Sequence, residues 1–411
     1  MDAYYCLPQN KTSQAKSIGR HGIGAAGEDG RLEAAQDRCT HLTLPFRLLY
    51  ILPGGRVERL QQGQGNFPDE FFYGYCQLAR RQGWQGELMT RASTSRAGIW
   101  LQQATHWFTN LSPDFGNAAK LNSSLLKRYD AIVSMSEPVL FMLALRKRRL
   151  QDANLVLILI GADKRVERSP FPFVTKQMLR WLFKRLAAIV VIGEGERDYL
   201  LGRELIPAER VHLVQFGVDA SFWTPVSRTT TGDYILSMGN DDGRDYETLL
   251  QAIGPRPLRL HTARKLPPGT LPPNVIYTTG DWKGQALSDT AVRDLYRGSH
   301  FVVTPLKESA QPQGQSVTLQ AMACGKAVIL SETRGLWSRT LMRHMENCYL
   351  VPAGDVPALR KAIDLMAADP ALCARLGKSA RASVEEHFSS NLMAERIGAI
   401  LLNMPRNSQA P

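Results

Sequence analysis

The 411-residue chain has no apolar run long enough to cross a bilayer. A spanning helix needs about 20 consecutive apolar residues, whereas the run VLFMLAL stops at Arg146 and the run NLVLILIGA stops at Asp163. Residues 1–22 are polar with scattered charges and lack the apolar core of a secretory signal. The sequence therefore predicts a protein that is not embedded in the membrane and that resides in the cytoplasm.

Cysteine is scarce and scattered, and metal-binding patterns are missing. No close cysteine pair has metal-ligand spacing, no Asp-x-Asp motif stands at a strand end, and the histidines lie far apart in sequence. Six cysteines are too few for a disulfide scaffold in a chain of this length. We therefore expect no metal site and no cofactor. The six cysteines are expected to be ordinary thiols: Cys6, Cys39, Cys76, Cys324, Cys348 and Cys373.

Negative charge is also under-represented, and the net charge is +12. Such a balance favours anionic partners, which include nucleotide phosphates, an anionic membrane face and nucleic acid. No nucleic-acid recognition module is present, so nucleic acid is not expected as a partner. The G-x-G-x-x-G turn of NAD-binding proteins is missing after the candidate strands RLLYILPGG and YILSMGNDDGRDY. This argues against an NAD-dependent oxidoreductase, which stays as the less favoured alternative.

The length predicts two domains, because single cores stop growing at roughly 250–300 residues. Residues 1–45 show no periodicity and are expected to form a disordered or mobile extension. Short β-branched runs then alternate with helix-length stretches, beginning with a strand at residues 47–55 and a helix at 68–84. This βαβ pattern predicts parallel sheets. The segment at 223–233, rich in Pro, Ser, Thr and Gly, is the expected linker.

The same alternation repeats in the second half, so the predicted fold is α/β with two Rossmann-like, doubly wound domains that face a cleft. We expect the first domain at residues 46–224 and the second at residues 225–385. Residues 386–411 should form a C-terminal helix, able to cross back to the first domain, and a tail.

Two loops of the second half are predicted to bind phosphate. The loop at 307–316 leads into a helix starting near Ser316, so the amides of Gly314 and Gln315 should lie at a helix N-terminus, which attracts anions. The loop GNDDGR places Arg244 at the start of a helix that faces the same cleft. The alternatives are an ordinary strand-to-helix loop and a surface ion pair between Arg244 and a neighbouring aspartate.

The blocks GVD (217–219), AMACGKAVI (321–329) and AGD (353–355) occur in the order found in one enzyme family. In this order they resemble the donor-binding domain of the retaining GT-B glycosyltransferases, the family 4 (group 1) enzymes in particular. The resemblance extends back to about Tyr129 and covers roughly two thirds of the chain. It implies a GT-B fold and transfer of a sugar from a nucleotide diphosphate donor, with the acceptor bound by residues 46–224 and the donor by residues 225–385.

The family carries two glutamates separated by seven residues, of which the first lies near the donor sugar and the second binds the ribose. Here the second position is Gln320, whose carbonyl oxygen can still accept from a ribose hydroxyl. The first position is Pro312, so Glu308, four residues earlier, is the candidate if the loop carries an insertion. A solvated loop acid is the alternative for Glu308.

The resemblance also implies roles elsewhere. Gly54 and Gly55 match a Gly-rich loop that lets the donor approach the backbone, with a plain tight turn as the alternative. Where the family often has a histidine after a strand, this chain has GADKR, so Asp163 or Lys164 is the candidate contact for the transferred sugar, or a surface residue. The candidate catalytic residues are Arg244, Glu308 and Asp163. The candidate donor-binding residues are Gly54, Gly55, Gly239, Asn240, Arg244, Gln313, Gly314, Gln315, Ser316 and Gln320.

Two basic segments, at 146–150 and 174–186, bear on the acceptor. The second is a basic amphipathic helix that could lie on anionic lipid, although its apolar side could equally pack on the sheet while its cations face water. On the first interpretation the enzyme works at the inner face of the membrane on a lipid-linked glycan. The partners expected are thus a UDP- or GDP-sugar donor and an acceptor sugar or lipid-linked glycan. A sugar-nucleotide epimerase of the same fold is the closest alternative.

Overall fold

A computed structural model describes residues 4–6, 45–61, 67–90, 96–111, 113–117, 120–147, 153–226, 232–266, 271–279 and 287–407. Within these ranges the chain forms two α/β domains, each built on one sheet with helices on its faces. The predicted architecture of two Rossmann-like domains is confirmed.

The described part of the first sheet has seven strands in the order β1-β3-β2-β4-β5-β6-β7. All neighbours are parallel except β1, which pairs antiparallel with β3. The central strands β4, β5 and β6 are buried along their whole length, which fits a parallel sheet covered on both faces. The strands are β1 Tyr4–Cys6, β2 Phe46–Leu52, β3 Trp84–Thr90, β4 Ala131–Ser134, β5 Asn154–Leu159, β6 Ala188–Val191 and β7 Val211–Leu213.

The first-domain helices follow the strands in the expected alternation. They are α1 Arg56–Gln61, α2 Tyr75–Leu78, α3 Arg96–Thr109, α4 Ser123–Arg128, α5 Glu137–Arg146, α6 Ala162–Glu167, α7 Pro172–Phe183 and α8 Glu194–Gly202, with 3-10 turns at Glu70–Phe72, Phe115–Asn117 and Ala208–Arg210.

The second sheet is parallel throughout, with six strands among the described residues in the order β10-β9-β8-β11-β12-β13. Its strands are β8 Tyr234–Met238, β9 Leu258–His261, β10 Val275–Thr278, β11 Ser299–Thr304, β12 Val328–Glu332 and β13 Tyr349–Pro352. The remaining helices are α9 Tyr246–Ala252, α10 Asp289–Gly298, α11 Gln315–Ala323, α12 Val356–Ala368, α13 Pro370–His387 and α14 Ser390–Leu402.

Two local features were not expected from the sequence. Within residues 1–45, expected to form a disordered or mobile extension, Tyr4–Cys6 form strand β1, since the outer edge of β3 offers free backbone groups for pairing, and residues 7–44 lie outside the described residues. The single helix expected over 68–84 is broken by left-handed backbone at Tyr73 and Gly74. The break brings Gly74 against the C-terminal helix α14, where a Cβ on this glycine would lie 2.9 Å from the Ala394 backbone.

The C-terminal helix α14 contacts α2 of the first domain, and the chain then stays on that domain. The Asn407 amide N–H donates to Asp130, 3.0 Å away, and Pro405 accepts from the Asn154 side chain at 2.8 Å. The segment around Val218 runs beside the segment at 388–390 and is hydrogen-bonded to it. Val218 N donates to Phe388 O (2.8 Å), and Ser390 N donates to Val218 O (2.9 Å). The chain therefore connects the two domains twice at one place.

The strand orders reverse direction between β2 and β4 in the first sheet and between β8 and β11 in the second. In open parallel sheets the connections on either side of such a switch point leave on opposite faces, which opens a crevice at the carboxyl ends of the strands. The loops after these four strands are thus where the topology places ligands.

Candidate functional site

The two loops expected to bind phosphate meet at the switch point of the second sheet. One follows β8 and the other follows β11, and backbone hydrogen bonds join them: Asp245 N donates to Pro305 O (3.1 Å) and Lys307 N donates to Gly243 O (2.8 Å). The structure therefore brings the GNDDGR and PQGQS segments into one site.

Arg244 lies at the centre of this site and is only 3% exposed. Its Nε donates to Asp241 at 2.8 Å, while its Nη1 has no hydrogen-bond partner among the described residues. Arg244 precedes the helix start at which it was expected, because α9 begins at Tyr246 with Asp245 as its N-cap, and the Arg244 side chain is buried. A buried guanidinium nitrogen without an acceptor is costly and indicates an anion site.

Two glycines make room for the guanidinium. A Cβ at Gly239, whose φ is 134°, would lie 2.4 Å from Arg244 Nε, and a Cβ at Gly314 would lie 3.4 Å from its Nη1. The Oδ1 of Asn240 accepts from the Ala263 amide at 2.7 Å and thereby ties this loop to the residues after β9.

Helix α11 begins at Gln315, one residue before the predicted start at Ser316. Gly314 is the N-cap, with φ of 73°, and no side chain among the described residues caps the helix. The first amides of α11, including those of Gln315 and Ser316, consequently have no intrahelical acceptor. An uncapped helix N-terminus beside a buried arginine suits the two charges of a diphosphate.

The glutamines on either side of Gly314 face different partners. Gln315 donates from Nε2 to Ile192 O of the first domain at 2.7 Å, so its side chain joins the two domains. Gln313 is buried against Gly243, and its Oε1 has no partner among the described residues. Gln313 therefore has a buried oxygen with unused hydrogen-bonding capacity.

The loop before α11 closes against the first domain at the ends of β5 and β6. A Cβ at Gly161 would lie 2.9 Å from Gln311 Nε2, and a Cβ at Gly193 would lie 2.8 Å from Pro312 Cβ. Asp163 follows Gly161 in the first turn of α6 and is buried, which excludes the alternative of a surface residue. The candidate sugar contact thus lies on the side of the first domain that meets the second.

Glu196 is a buried carboxyl group beside Asp163 that the sequence reasoning missed. Its Oε1 accepts from the amides of Gly161 and Ala162, at 2.9 Å for the latter, and its Oε2 has no partner among the described residues. Burial raises the pKa of Glu196 to about 8. Acidic residues are common in the first turn of a helix, where they interact favourably with the helix dipole. The sequence therefore contains no sign that Glu196 is buried.

Gln320 does not stand open to a ribose as the resemblance implied. It is 6% exposed, its Oε1 accepts from Tyr296 Oη (3.0 Å) and its Nε2 donates to Glu70 Oε1 (2.9 Å). Glu70 comes from the first domain and also accepts from Trp223 Nε1 at 2.9 Å. The fully buried carboxyl group of Glu70, whose pKa is raised to about 7 by desolvation, requires these donors and holds the Gln320 amide in place.

Three further candidates lie in exposed loops. Glu308 accepts from the side chain of Arg334 at 3.0 Å, and both groups are largely exposed, which corresponds to the alternative of a solvated loop acid. Gly54 and Gly55 form the exposed turn between β2 and α1, and the positive φ of 84° at Gly55 explains the glycine there. This is the tight-turn alternative, placed at the carboxyl end of a central strand.

The first domain holds a cavity of about 380 Å³ at its own switch point. Its floor is the end of β2 and the residues after β4, and its walls are α3, α5 and α7. Apolar residues such as Leu111, Phe141 and Leu179 line it together with a salt bridge in which Arg165 donates to both oxygens of the buried Glu137 (2.5 and 2.9 Å). This combination of apolar walls and a few fixed polar groups is typical of a small-molecule site.

The basic helix α7 packs by its apolar side into the core of the first domain. Leu179, Leu182 and Phe183 are buried, and Lys184 and Arg185 face water. The structure therefore agrees with the alternative in which the apolar side of the helix packs on the sheet while the cations face water. Within the other basic segment, residues 148–150 lie outside the described residues.

Among the residues that the structure describes, no helix is long and apolar enough to cross a membrane. In the same part of the chain, no group of three or more His, Cys, Asp or Glu residues is placed to hold a metal ion. Cys76, Cys324, Cys348 and Cys373 are buried free thiols, while Cys39 lies outside the described residues.

Comparison with protein families matches both domains. Residues 76–222 match the family model described as Glycosyltransferase Family 4, and residues 244–369 match the model described as Glycosyl transferases group 1. The second match begins at Arg244 and includes the whole of α11. A search of curated proteins found no significant match.

Solved structures of similar fold cover most of the chain. HepE of Anabaena, in complex with UDP and glucose, aligns over 87% of this chain and 100% of its own, with a TM-score of 0.60 and 15% identity. A glycosyltransferase of Rickettsia africae aligns over 88% and 100%, with a TM-score of 0.61 and 14% identity. Sucrose-phosphate synthase of Thermosynechococcus elongatus aligns over 86% and 98%, with a TM-score of 0.60 and 17% identity. At these identities the likeness concerns the fold.

Proposed function

The chain is a glycosyltransferase of the group 1, family 4 type, and from this premise we propose that it transfers a hexosyl group from a nucleoside diphosphate donor to an acceptor, with retention of anomeric configuration and without a metal ion. The donor's diphosphate binds between Arg244 and the N-terminus of α11.

The observation that carries this proposal is the buried Arg244 guanidinium, whose Nη1 lacks a partner among the described residues and lies beside Gly314. Taking a guanidinium out of water is expensive unless its donors are satisfied. A phosphate oxygen at the uncapped start of α11 would satisfy both Nη1 and the first helix amides. This cation and these dipoles are fixed before the donor arrives.

The same groups account for the chemistry. When the bond between the anomeric carbon and the diphosphate breaks, negative charge grows on the departing nucleotide. Arg244 and the amides of Gln315 and Ser316 are preorganised to stabilise that charge, and such electrostatic stabilisation is commonly the largest catalytic contribution. They would take the part that a metal ion plays in other transferases.

Other residues complete the proposed donor site. Gln313 offers its unused Oε1, and Gly239 lets Arg244 lie against the backbone. Asp163, where the first domain meets the loop before α11, is proposed to contact the transferred sugar. Gln320 is proposed to hold α11 against the first domain through the Glu70 network, since both ends of its amide are engaged there.

The HepE complexes with UDP and with UDP-glucose make UDP the first donor nucleotide to test, with GDP as the alternative. The acceptor is proposed to bind at the first-domain cavity. We propose a sugar or lipid-linked glycan, used in surface polysaccharide or glycolipid assembly at the inner face of the membrane.

The test is ligand-induced thermal stabilisation of the parent and of Arg244→Met, which keeps much of the side-chain volume but removes the charge. Arg264→Met is the matched control, because Arg264 donates to Asp241 O and to the Asp242 carboxylate on the same loop. Loss of one charge-assisted hydrogen bond costs about 1.5–3 kcal/mol, so UDP affinity should fall roughly 10- to 150-fold in Arg244→Met. The control should keep parental affinity.

Uridine, which lacks phosphates, should bind the parent and both variants alike. Equal stabilisation of the parent and Arg244→Met by UDP, GDP and ADP would show that Arg244 is only a buried ion-pair partner. Conversion of a nucleotide sugar to its epimer without acceptor would replace the transferase proposal by the epimerase alternative.

A further inference from the structure

Helix α3 carries large apolar side chains on the face that is turned to solvent. Trp100 and Trp107 are 70% and 72% exposed, and Leu101 and Phe108 are also exposed. Residues seven apart lie on the same face of an α-helix, so these two pairs form one continuous stripe. A soluble surface does not ordinarily present two tryptophans in this way.

The opposite face of α3 is mostly polar and borders the cavity of the first domain. Gln102 and His106 line the cavity together with Asn110, which follows the helix, and Thr109 is buried. The helix is therefore amphipathic in the reverse sense of an ordinary surface helix, which turns its apolar stripe to the core. Core packing cannot explain its tryptophans.

The start of α7 extends this apolar surface. Phe108 stacks on Phe171 with ring centroids 6.3 Å apart, and Phe173 is 73% exposed. Thr175 Oγ1 donates to Thr109 O at 2.7 Å, which fixes the start of α7 to the end of α3. We call the exposed rings of Trp100, Trp107, Phe108, Phe171 and Phe173 the aromatic platform.

The charged side chains on α3, and on α7 with the two residues after it, have one sign. Residues 96–109 and 172–185 contain no Asp or Glu, whereas they contain Arg96, Lys176, Arg180, Lys184 and Arg185. A partner protein would be matched by mixed charge, while an anionic lipid surface is matched by aromatic rings flanked by cations alone. Tryptophan side chains in particular favour the bilayer interface, because the ring is apolar while its indole N–H can hydrogen-bond to water or headgroups.

We propose that the aromatic platform docks the enzyme on an anionic lipid bilayer, with α3 lying in the interface and the cavity opening beside it at headgroup level. The inference rests on the proposed function in one respect: the cavity would then receive the headgroup of an amphiphilic acceptor while the acyl or polyprenyl chain stays in the lipid. The polar face of α3 and the Arg165–Glu137 pair supply the headgroup contacts. The docking element is thus α3 with the start of α7, and the basic helix α7 adds attraction by its charge.

The experiment measures flotation of the full chain with vesicles of phosphatidylglycerol and phosphatidylcholine in equal amounts, and with phosphatidylcholine alone. The variant Trp100→Gln/Trp107→Gln/Phe173→Gln removes the platform. The matched control Val226→Gln/Ile276→Gln/Leu402→Gln removes three exposed apolar side chains elsewhere. The parent should bind the anionic vesicles, and the platform variant should bind at least about tenfold more weakly, since burial of apolar area drives such binding. The control should bind like the parent.

Absence of parental binding to anionic vesicles, or equal binding by the platform variant, overturns the proposal. A change from dimer to monomer in the platform variant, without vesicle binding by the parent, assigns the surface to a second copy of the chain. UDP stabilisation separates the two proposals, because none of the three platform residues belongs to the donor site. If the parent binds anionic vesicles but is not stabilised by UDP, the docking proposal holds and the donor-site proposal fails. If UDP stabilises the parent but the parent does not bind vesicles, the donor-site proposal holds and the docking proposal fails.

Discussion

Replacing Glu70 with glutamine should make the protein more stable than its parent at pH 8 but not at pH 4.5. The carboxyl group of Glu70 is completely buried between the two domains, where it accepts from Trp223 and Gln320. Desolvation raises its pKa from 4.5 to about 7. The side chain of glutamine has the same shape and keeps an oxygen to accept these two hydrogen bonds.

The sign follows from proton binding. Between pH 4.5 and 7 the folded protein holds the Glu70 proton while the unfolded chain releases it, so the free energy of unfolding falls as pH rises. The stabilisation is fully present below pH 4.5 and lost above about pH 7. One pKa unit corresponds to about 1.4 kcal/mol, so the total loss in the parent is roughly 3 kcal/mol. The glutamine of Glu70→Gln does not titrate, so the free energy of unfolding of this variant should not show this loss.

The assay is urea unfolding of the parent and Glu70→Gln at several pH values between 4.5 and 8. Glu196, whose pKa is also raised by burial, contributes with the same sign to both proteins and cancels in the comparison. Glu58→Gln, which changes an exposed acid on α1, is the control and should follow the parent at every pH. Parallel pH profiles for the parent and Glu70→Gln would refute the reasoning, because they would mean that Glu70 titrates alike in the folded and unfolded states.

Three further outcomes are expected. Gly239→Ala should abolish UDP stabilisation in a thermal-shift assay, because its Cβ would lie 2.4 Å from Arg244 Nε; unchanged UDP binding would contradict the geometry. Arg381→Met should lower the free energy of unfolding by about 2–4 kcal/mol, since its guanidinium donates to the carbonyls of Ala220, Trp223 and Ala323, and a urea midpoint like the parent's would argue against this. UDP should raise the melting temperature equally in EDTA and in magnesium, and strict dependence on magnesium would contradict the metal-free proposal.

The architecture could be predicted because its signals are local. Short β-branched runs such as the one at β5 are buried on both sides, and their alternation with helices admits few topologies. The break at Tyr73 and Gly74 could not be predicted, since it depends on α14, which lies more than three hundred residues further along the chain. Strand β1 was missed for the same reason, as its partner is a sheet edge that no local pattern announces.

The candidate site divides in the same way. The loop that contains Gly314 and the helix after it follow from turn and capping residues, and Arg244 was found because it stands in a strand-to-helix loop. The burial of Arg244 was not foreseen, since it depends on the pairing of two loops that lie far apart in sequence. Glu70 and Glu196 carried no signal, because acids near helix starts are usually exposed, and only the tertiary fold removes these two from water.

The double connection between the domains has a mechanical consequence. Two chain segments cross side by side at Val218 and Ser389, hydrogen-bonded to each other, and a Cβ at Gly217 would lie 2.1 Å from Ser389 O. A connection by one chain segment would let the two domains rotate relative to each other in any direction. Two hydrogen-bonded segments can still bend together, but they resist twisting. We therefore expect the two domains to open and close about one axis through this pair of segments. The hydrogen bond from Gln315 to Ile192 O would then form again each time the domains close.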